Sequence, residues 1–85
     1  MKSERVEIEL YVYEFEAIKA NRMISDICGR YLKSAEKRGE FVVLDLSVQE
    51  ANDLAGWVAA EANHSKSKME SDLLNSACDA IEANI

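Results

Sequence analysis

Apolar and polar side chains alternate one by one near the start of the chain, in the stretch VEIELYVYEF. The alternating aliphatic residues are Val6, Ile8, Leu10 and Val12. A period of two, with β-branched and aromatic residues, is typical of a strand, and we predict one from Arg5 to Tyr13. A second apolar run, EFVVLDL, lies between Gly39 and Ser47 and predicts a second strand from Glu40 to Leu46.

Between these strands the apolar residues recur at steps of three and four, which indicates one face of a helix. They are Ala17, Ala20, Ile24, Ile27, Cys28, Tyr31 and Ala35. Lys37 and Arg38 near the end of this segment, followed by Gly39, are typical of a helix C-terminus. The pattern therefore predicts one long helix from Phe15 to Arg38.

Two further helices are predicted in the second half of the chain. Ser47 and Glu50 have the spacing of a capping box, and the helix that they begin carries an alanine-rich apolar face through Ala62. Ser67 and Glu70 have the same spacing after a polar junction. The last helix has its apolar face at Met69, Leu73, Leu74, Ala77, Cys78, Ile81 and Ile85.

The predicted order is strand–helix–strand–helix–helix, an α+β fold that is mainly helical. A helix that returns along the first strand would make the two strands parallel, joined by a right-handed crossover. The chain has 85 residues, which is room for a single domain over residues 1–85. The sheet would have two strands, and dimerisation could extend it.

Composition and charge narrow the function classes. Ten basic against sixteen acidic residues give a net charge of −6, which disfavours binding of nucleic acid or anionic lipid by the whole surface. The first residues contain charges and no apolar signal region, and the longest uncharged apolar run, Leu54 to Ala60, is far shorter than a membrane span. We expect a cytoplasmic protein without a membrane partner.

No pattern of catalytic or metal-binding residues stands out. Cys28 and Cys78 are fifty residues apart and lie among apolar residues, as reduced core thiols do. Glu61 and His64 have the spacing of ligands in di-iron bundles, but they lie away from the apolar face of their helix. We predict no cofactor, no metal and no enzymatic activity.

The two predicted strands have apolar or aromatic residues on both faces. The second face carries Tyr11, Tyr13, Phe41 and Val43. A two-stranded sheet also leaves two edges without partners. Either the last two helices cover this face in a compact monomer, or a second copy or another protein covers it. The second alternative predicts a binding surface, in its simplest form a homodimer that joins strand to strand.

The polar side of the helix that follows Ser47 adds a further candidate surface. It consists of a tryptophan with three carboxylates, namely Glu50, Asp53, Trp57 and Glu61. An exposed tryptophan among carboxylates would suit a basic partner, because tryptophan is enriched at binding hot spots. Alternatively, Trp57 covers the edge of the core.

The long predicted helix has a positive net charge, opposite in sign to that of the second half of the chain. From residue 17 to residue 38 there are six basic and two acidic residues, net +4, whereas residues 47–85 are net −5. The basic face consists of Lys19, Arg22, Arg30, Lys33 and Lys37. Such a face could follow phosphates, although no residue suited to base recognition lies between these positions. A solvated helix face or a contact with an acidic partner is the alternative.

These observations favour a small acidic protein-binding module without enzymatic activity. It would act as an inhibitor or adaptor of a larger protein, such as one that acts on nucleic acid through a basic surface. The alternative is a nucleic-acid-binding protein that uses the basic face of the long helix.

Overall fold

The computed structural model describes residues 4–85 of the chain. They form an α+β fold, as expected, with four helices and a small sheet. The elements are β1 (Arg5–Tyr11), α1 (Val12–Ala20), α2 (Arg22–Leu32), β2 (Glu36–Arg38), β3 (Phe41–Ser47), α3 (Val48–His64) and α4 (Lys68–Ala83).

The sheet has three antiparallel strands in the order β1-β3-β2. The prediction of two parallel strands was therefore wrong, and so was the crossover that depended on it. The physical reason is the short hairpin between β2 and β3, which reverses the chain after the helices. In the resulting register, Ile8 lies opposite Leu44, and Phe41 lies between Tyr11 and Arg38.

Gly39 makes this hairpin possible. Its φ is +63°, whereas no other described residue has a positive φ. Arg38 and Phe41 are paired, so Gly39 and Glu40 form a two-residue loop. A positive φ at the first loop residue alone is the type II′ arrangement, whose twist fits a hairpin. Gly39 is thus a turn residue, and Lys37 and Arg38 belong to a strand, contrary to the predicted helix end.

The predicted helix from Phe15 to Arg38 is two helices that meet at Asn21. The backbone of Asn21 is extended, with ψ at 115°, and its side-chain oxygen accepts a hydrogen bond from the N–H of Ile24 at 3.0 Å. Asparagine caps a new helix well because its side chain replaces the missing helical acceptor. The spacing of three and four continues across the break, which is why the sequence pattern concealed it.

The first strand is two residues shorter than predicted because α1 begins at Val12. The carboxylate of Glu14 accepts a hydrogen bond from the backbone N–H of Tyr11 at 2.8 Å. Glu14 also accepts one from the hydroxyl of Ser76 in α4. These contacts satisfy a free N–H at the helix N-terminus, so the strand ends at Tyr11 and not at Tyr13.

The helices cover one face of the sheet. The residues of this face that belong to the core are Ile8, Leu10, Val42, Leu44 and Leu46. The α3–α4 hairpin packs there through alanines and aliphatic residues. The predicted box at the start of α3 is confirmed, with Ser47 and Glu50 exchanging hydrogen bonds of 2.9 and 3.0 Å. Among residues 4–85, no helix is both long enough and apolar enough to cross a membrane.

Candidate functional site

The sheet face away from the helices, called here the outer sheet face, is the candidate site. Its residues project to the same side because directly paired residues in an antiparallel sheet do so. They are Arg5, Glu7, Glu9 and Tyr11 of β1, Glu36 and Arg38 of β2, and Phe41, Val43 and Asp45 of β3. None of the nine belongs to the core cluster that the helices share with the inner face.

Three aromatic rings stack at one end of this face and form the aromatic cluster: Tyr11, Tyr13 and Phe41. The ring centroids of Tyr11 and Tyr13 are 5.2 Å apart with planes at 7°, and those of Tyr11 and Phe41 are 4.8 Å apart at 28°. Tyr11 is 43% exposed and Tyr13 55%. The turn from β1 into α1 places Tyr13 over Tyr11, so the cluster is held together by the fold.

Val43 continues the apolar surface from this cluster along β3. It lies between Glu9 of β1 and Glu36 of β2 and is only 5% exposed. Since it lies outside the core cluster, its burial comes from its neighbours on the sheet surface. The sequence placed Val43 on the correct face, but its side chain offers a partner little area until these neighbours move.

Carboxylates continue the outer sheet face away from the aromatic cluster, and within residues 4–85 two of them form no ion pair. Arg5 pairs with Asp45 at 3.2 Å, and Arg38 pairs with Glu36 at 3.2 Å. Among the described residues, no ion pair holds the side chains of Glu7 and Glu9, which lie on the same face. This face therefore has an excess of negative charge beside exposed aromatic rings.

Neighbouring groups raise the pKa of one residue on the outer sheet face and of one residue in the adjoining aromatic cluster. The pKa of Arg38 is raised, first by its hydrogen bond to Glu36 and then by the negative charges of Glu36, Glu7 and Glu9. The pKa of the Tyr13 phenol is raised by desolvation and then by the carboxylate of Glu14.

A shallow depression of about 440 Å³ adjoins the aromatic cluster. It lies between the start of α1 and the β2–β3 hairpin, and its lining is Tyr11, Val12, Tyr13, Lys37, Gly39 and Glu40. Its walls combine aromatic surface with one charge of each sign. The depression is open to solvent on one side, as a contact surface for another protein would be, and it widens the area available beside Tyr13.

The carboxylates predicted on α3 bind other parts of the same chain, and Glu50 also reaches the edge of this face, where it lies 3.8 Å from the guanidinium of Arg5. Glu50 caps α3, and Asp53 accepts a hydrogen bond from the hydroxyl of Tyr31 at 2.8 Å. Glu61 accepts one from the side-chain amide of Asn21 at 3.1 Å. Trp57 is half-buried and packs against the core. The arc of Glu50, Asp53, Trp57 and Glu61 therefore helps to hold α2 and the core edge in place.

The five residues of the predicted basic face are distributed over separate elements. Lys19 lies in the last turn of α1, with its ammonium 5.7 Å from the ring centroid of Phe15. Arg22 and Arg30 belong to α2, and Lys33 caps that helix. Lys37 is in β2 and pairs with Val42. Because the helix breaks at Asn21, these residues do not form one continuous stripe, and Arg30 is already engaged with the hydroxyl of Tyr31 at 3.2 Å.

Sequence reasoning missed two buried polar residues that connect the helices to one another. Glu14 and Asn21 are buried, and each bonds both a backbone N–H and a side chain of another helix. Asparagine within a predicted helix was the available signal, because it favours caps over helix interiors. The pairing of Tyr11 with Phe41 also required the antiparallel register of β1 and β3, which the sequence pattern did not predict.

The three comparisons, with protein-family models, with curated proteins and with solved structures, found no match to this chain. Within residues 4–85, no group of three or more histidine, cysteine, aspartate or glutamate side chains is arranged to hold a metal ion.

Proposed function

We propose that this chain is a non-enzymatic protein-binding module that contacts its partner through the outer sheet face. The observation that carries the proposal is the aromatic cluster, in which Tyr11 and Tyr13 are stacked yet 43% and 55% exposed. Tyrosines are large anchors with few rotatable bonds and are enriched in the central parts of interfaces. Rings that already stack lose little further freedom when a partner covers them.

The charge on this face supports a basic partner. Glu9 and then Glu7 follow Tyr11 on this face, and neither forms an ion pair within the described part of the chain. Lysine or arginine of a partner would compensate their charge. An arginine could also stack on the exposed tyrosine rings. A protein with a basic surface for nucleic acid belongs to this chemical class. Bound there, the module would act as an inhibitor or adaptor.

A second copy of the chain is a competing occupant of the same face. Two copies that meet through this face would bring together two surfaces that each carry an excess of negative charge. Like charges at such a contact weaken the association. The predicted homodimer therefore stays a prediction, and light scattering of the purified chain tests it.

The proposal is tested by selecting binders from a library of random twelve-residue peptides displayed on phage, with the wild-type chain as bait. Affinities of the selected peptides are then measured for wild type, Tyr13→Ser and Met69→Ser. Met69 is the matched control because it is an apolar residue 74% exposed on α4. We expect at least a tenfold loss for Tyr13→Ser and less than a twofold change for Met69→Ser.

Two outcomes would contradict the proposal. One is a set of selected peptides that bind Tyr13→Ser as tightly as wild type. The other is a shift of labelled DNA or RNA at low salt that disappears when Arg30 and Lys33 are both replaced by alanine, which would support the nucleic-acid alternative.

A further inference from the structure

The backbone of β1 is paired with β3 on one side only. The ladder continues beyond β1 at both ends, from the N–H of Val12 to the C=O of Glu40 and from the N–H of Val48 to the C=O of Glu4, both at 3.0 Å. In an antiparallel ladder the residues that bond the neighbouring strand alternate along the chain. The even-numbered residues of β1 thus bond β3, and Arg5, Glu7 and Glu9 direct their N–H and C=O groups to the other side.

This other side, the open edge of β1, lacks hydrogen-bond partners from within residues 4–85. Among the described residues, no turn, loop or side-chain hydrogen bond reaches the backbone groups of Arg5, Glu7 or Glu9. Tyr11 differs, because its N–H is bound by Glu14. On the opposite side of the sheet, β2 has only three residues, and the same alternation leaves only Lys37 directed outward. The open edge of β1 is therefore the longer place where a strand could be added.

The side chains beside this edge select among strands that could add to it. Glu7 and Glu9 project onto the outer sheet face next to the open edge, and neither has an ion pair among the described residues. A second copy paired antiparallel about Ile8 would align Glu7 of each chain with Glu9 of the other. Like charges directly opposite each other destabilise a strand pair, and opposite charges stabilise it. A pairing of two copies along the whole of β1, which is centred on Ile8, is thus opposed by charge, whereas a shorter pairing centred on Glu7 would align Arg5 with Glu9. A basic strand meets opposite charge at both Glu7 and Glu9 and is therefore favoured.

We propose that the open edge of β1 takes up an extended segment of a partner protein with lysine or arginine at alternate positions, which adds a fourth strand to the sheet. The inference rests on the proposed function, because the added strand would direct its basic residues to the outer sheet face beside Tyr11. Main-chain hydrogen bonds would supply affinity and the alternate charges would supply selectivity, as in other cases of strand addition.

A proline at residue 7 distinguishes the contribution of main-chain hydrogen bonds at the open edge from the contribution of the glutamate charge. The N–H of Glu7 is directed to the open edge, so Glu7→Pro removes no bond of the β1–β3 ladder, and proline is tolerated on edge strands in that orientation. Glu7→Gln is the matched control, because it removes the same charge and keeps the N–H. Peptides selected as described above are measured against both variants. We expect lysine or arginine at every second position, and at least a tenfold weaker binding to Glu7→Pro than to Glu7→Gln.

If circular dichroism shows that Glu7→Pro does not fold, the peptide backbone is modified instead and binding to the wild-type chain is measured. N-methylation of alternate peptide residues blocks main-chain bonds in one of the two phases. Methylation in one phase should abolish binding, and methylation in the other phase should change the affinity less than threefold. Equal loss in both phases, or no loss in either, would overturn the inference.

Other results separate this inference from the proposed function. Peptides that lose affinity for Tyr13→Ser but bind Glu7→Pro and Glu7→Gln equally would overturn strand addition and leave the aromatic cluster as the contact. Peptides that lose affinity for Glu7→Pro but bind Tyr13→Ser as tightly as wild type would support strand addition and would contradict the aromatic cluster as the contact. A wild-type chain that forms a dimer, with Glu7→Pro monomeric, would identify a second copy as the occupant and overturn the basic partner. Selected peptides with acidic residues at alternate positions would also overturn it.

Discussion

Replacement of Asn21 by alanine should destabilise the protein, because this residue joins three helices. It is 8% exposed. Its side-chain oxygen accepts from the N–H of Ile24 at 3.0 Å and its amide donates to Glu61 at 3.1 Å. Asn21→Ala removes both bonds, so α2 loses its N-cap and the half-buried carboxylate of Glu61 loses its donor.

The expected loss follows from these two bonds. Removal of an asparagine N-cap costs about 1 kcal/mol. Removal of the amide donor from Glu61 costs about 1 kcal/mol more, since that carboxylate is partly accessible to water. The free energy of unfolding should therefore fall by about 2 kcal/mol. For a domain of this size, the midpoint of thermal unfolding should fall by roughly 8–16 °C.

Urea unfolding followed by circular dichroism measures this change, and the fluorescence of Trp57 gives a second probe of the same transition. The dependence on urea should keep its slope, since the exposed surface changes little. A loss below about 0.5 kcal/mol would refute the reasoning, because it would fall under the range for removal of the cap alone.

A double-mutant cycle tests the contact with Glu61 separately. Asn21→Asp keeps the cap acceptor but places a second carboxylate beside Glu61, so it should also destabilise the protein. Addition of Glu61→Gln should restore most of the loss, because the glutamine amide can donate to the new aspartate. Strictly additive effects would show that the two side chains do not interact in solution.

Two further predictions concern the backbone and the thiols. Gly39→Ala should lower the free energy of unfolding by about 1–2 kcal/mol, because residue 39 has φ of +63°. Gly56→Ala, in the interior of α3 with nothing within 4 Å of the added carbon, should raise it by up to about 1 kcal/mol, and thermal unfolding of both variants checks the opposite signs. Burial is the main factor that raises the pKa of Cys28 and of Cys78. Because the folded thiols hold their protons more tightly than unfolded ones, stability should be constant at neutral pH and fall as the pH rises above the ordinary thiol pKa of about 8.5. Urea titrations between pH 7 and pH 10 measure this fall, and a rise in stability over that interval would contradict it.

The elements with strong local signals were predicted well from the sequence. The capping box of Ser47 and Glu50 defined the start of α3 to the residue, and alternation identified the first strand and its two faces. These signals depend on neighbours within four positions. The strand β2 carries only the residues EKR, all exposed, and exposed charged residues have no alternation that indicates a strand.

The errors in topology have one physical origin. Apolar residues can keep a spacing of three and four across a point where the chain changes direction, so the spacing alone does not reveal that point. Ile24, Cys28 and Tyr31 are buried as expected, whereas Ile27 is exposed. The extended backbone of Asn21 separates α1 from α2 while the apolar residues remain three and four apart. The aromatic cluster was predicted in composition but not in arrangement, because the stacking of Tyr11 on Phe41 depends on the antiparallel register of β1 and β3.

The charges on β1 connect the fold to the proposed function. A small sheet with an open edge exposes the protein to pairing with its own copies, and edge charges are a common protection against it. Glu7 and Glu9 provide that protection without a cost to the core, since their side chains are exposed and project away from the helices. A basic extended segment reverses the sign of the interaction at the same two positions. The features that oppose self-association therefore specify the partner: it must bring positive charge at alternate residues and an extended backbone.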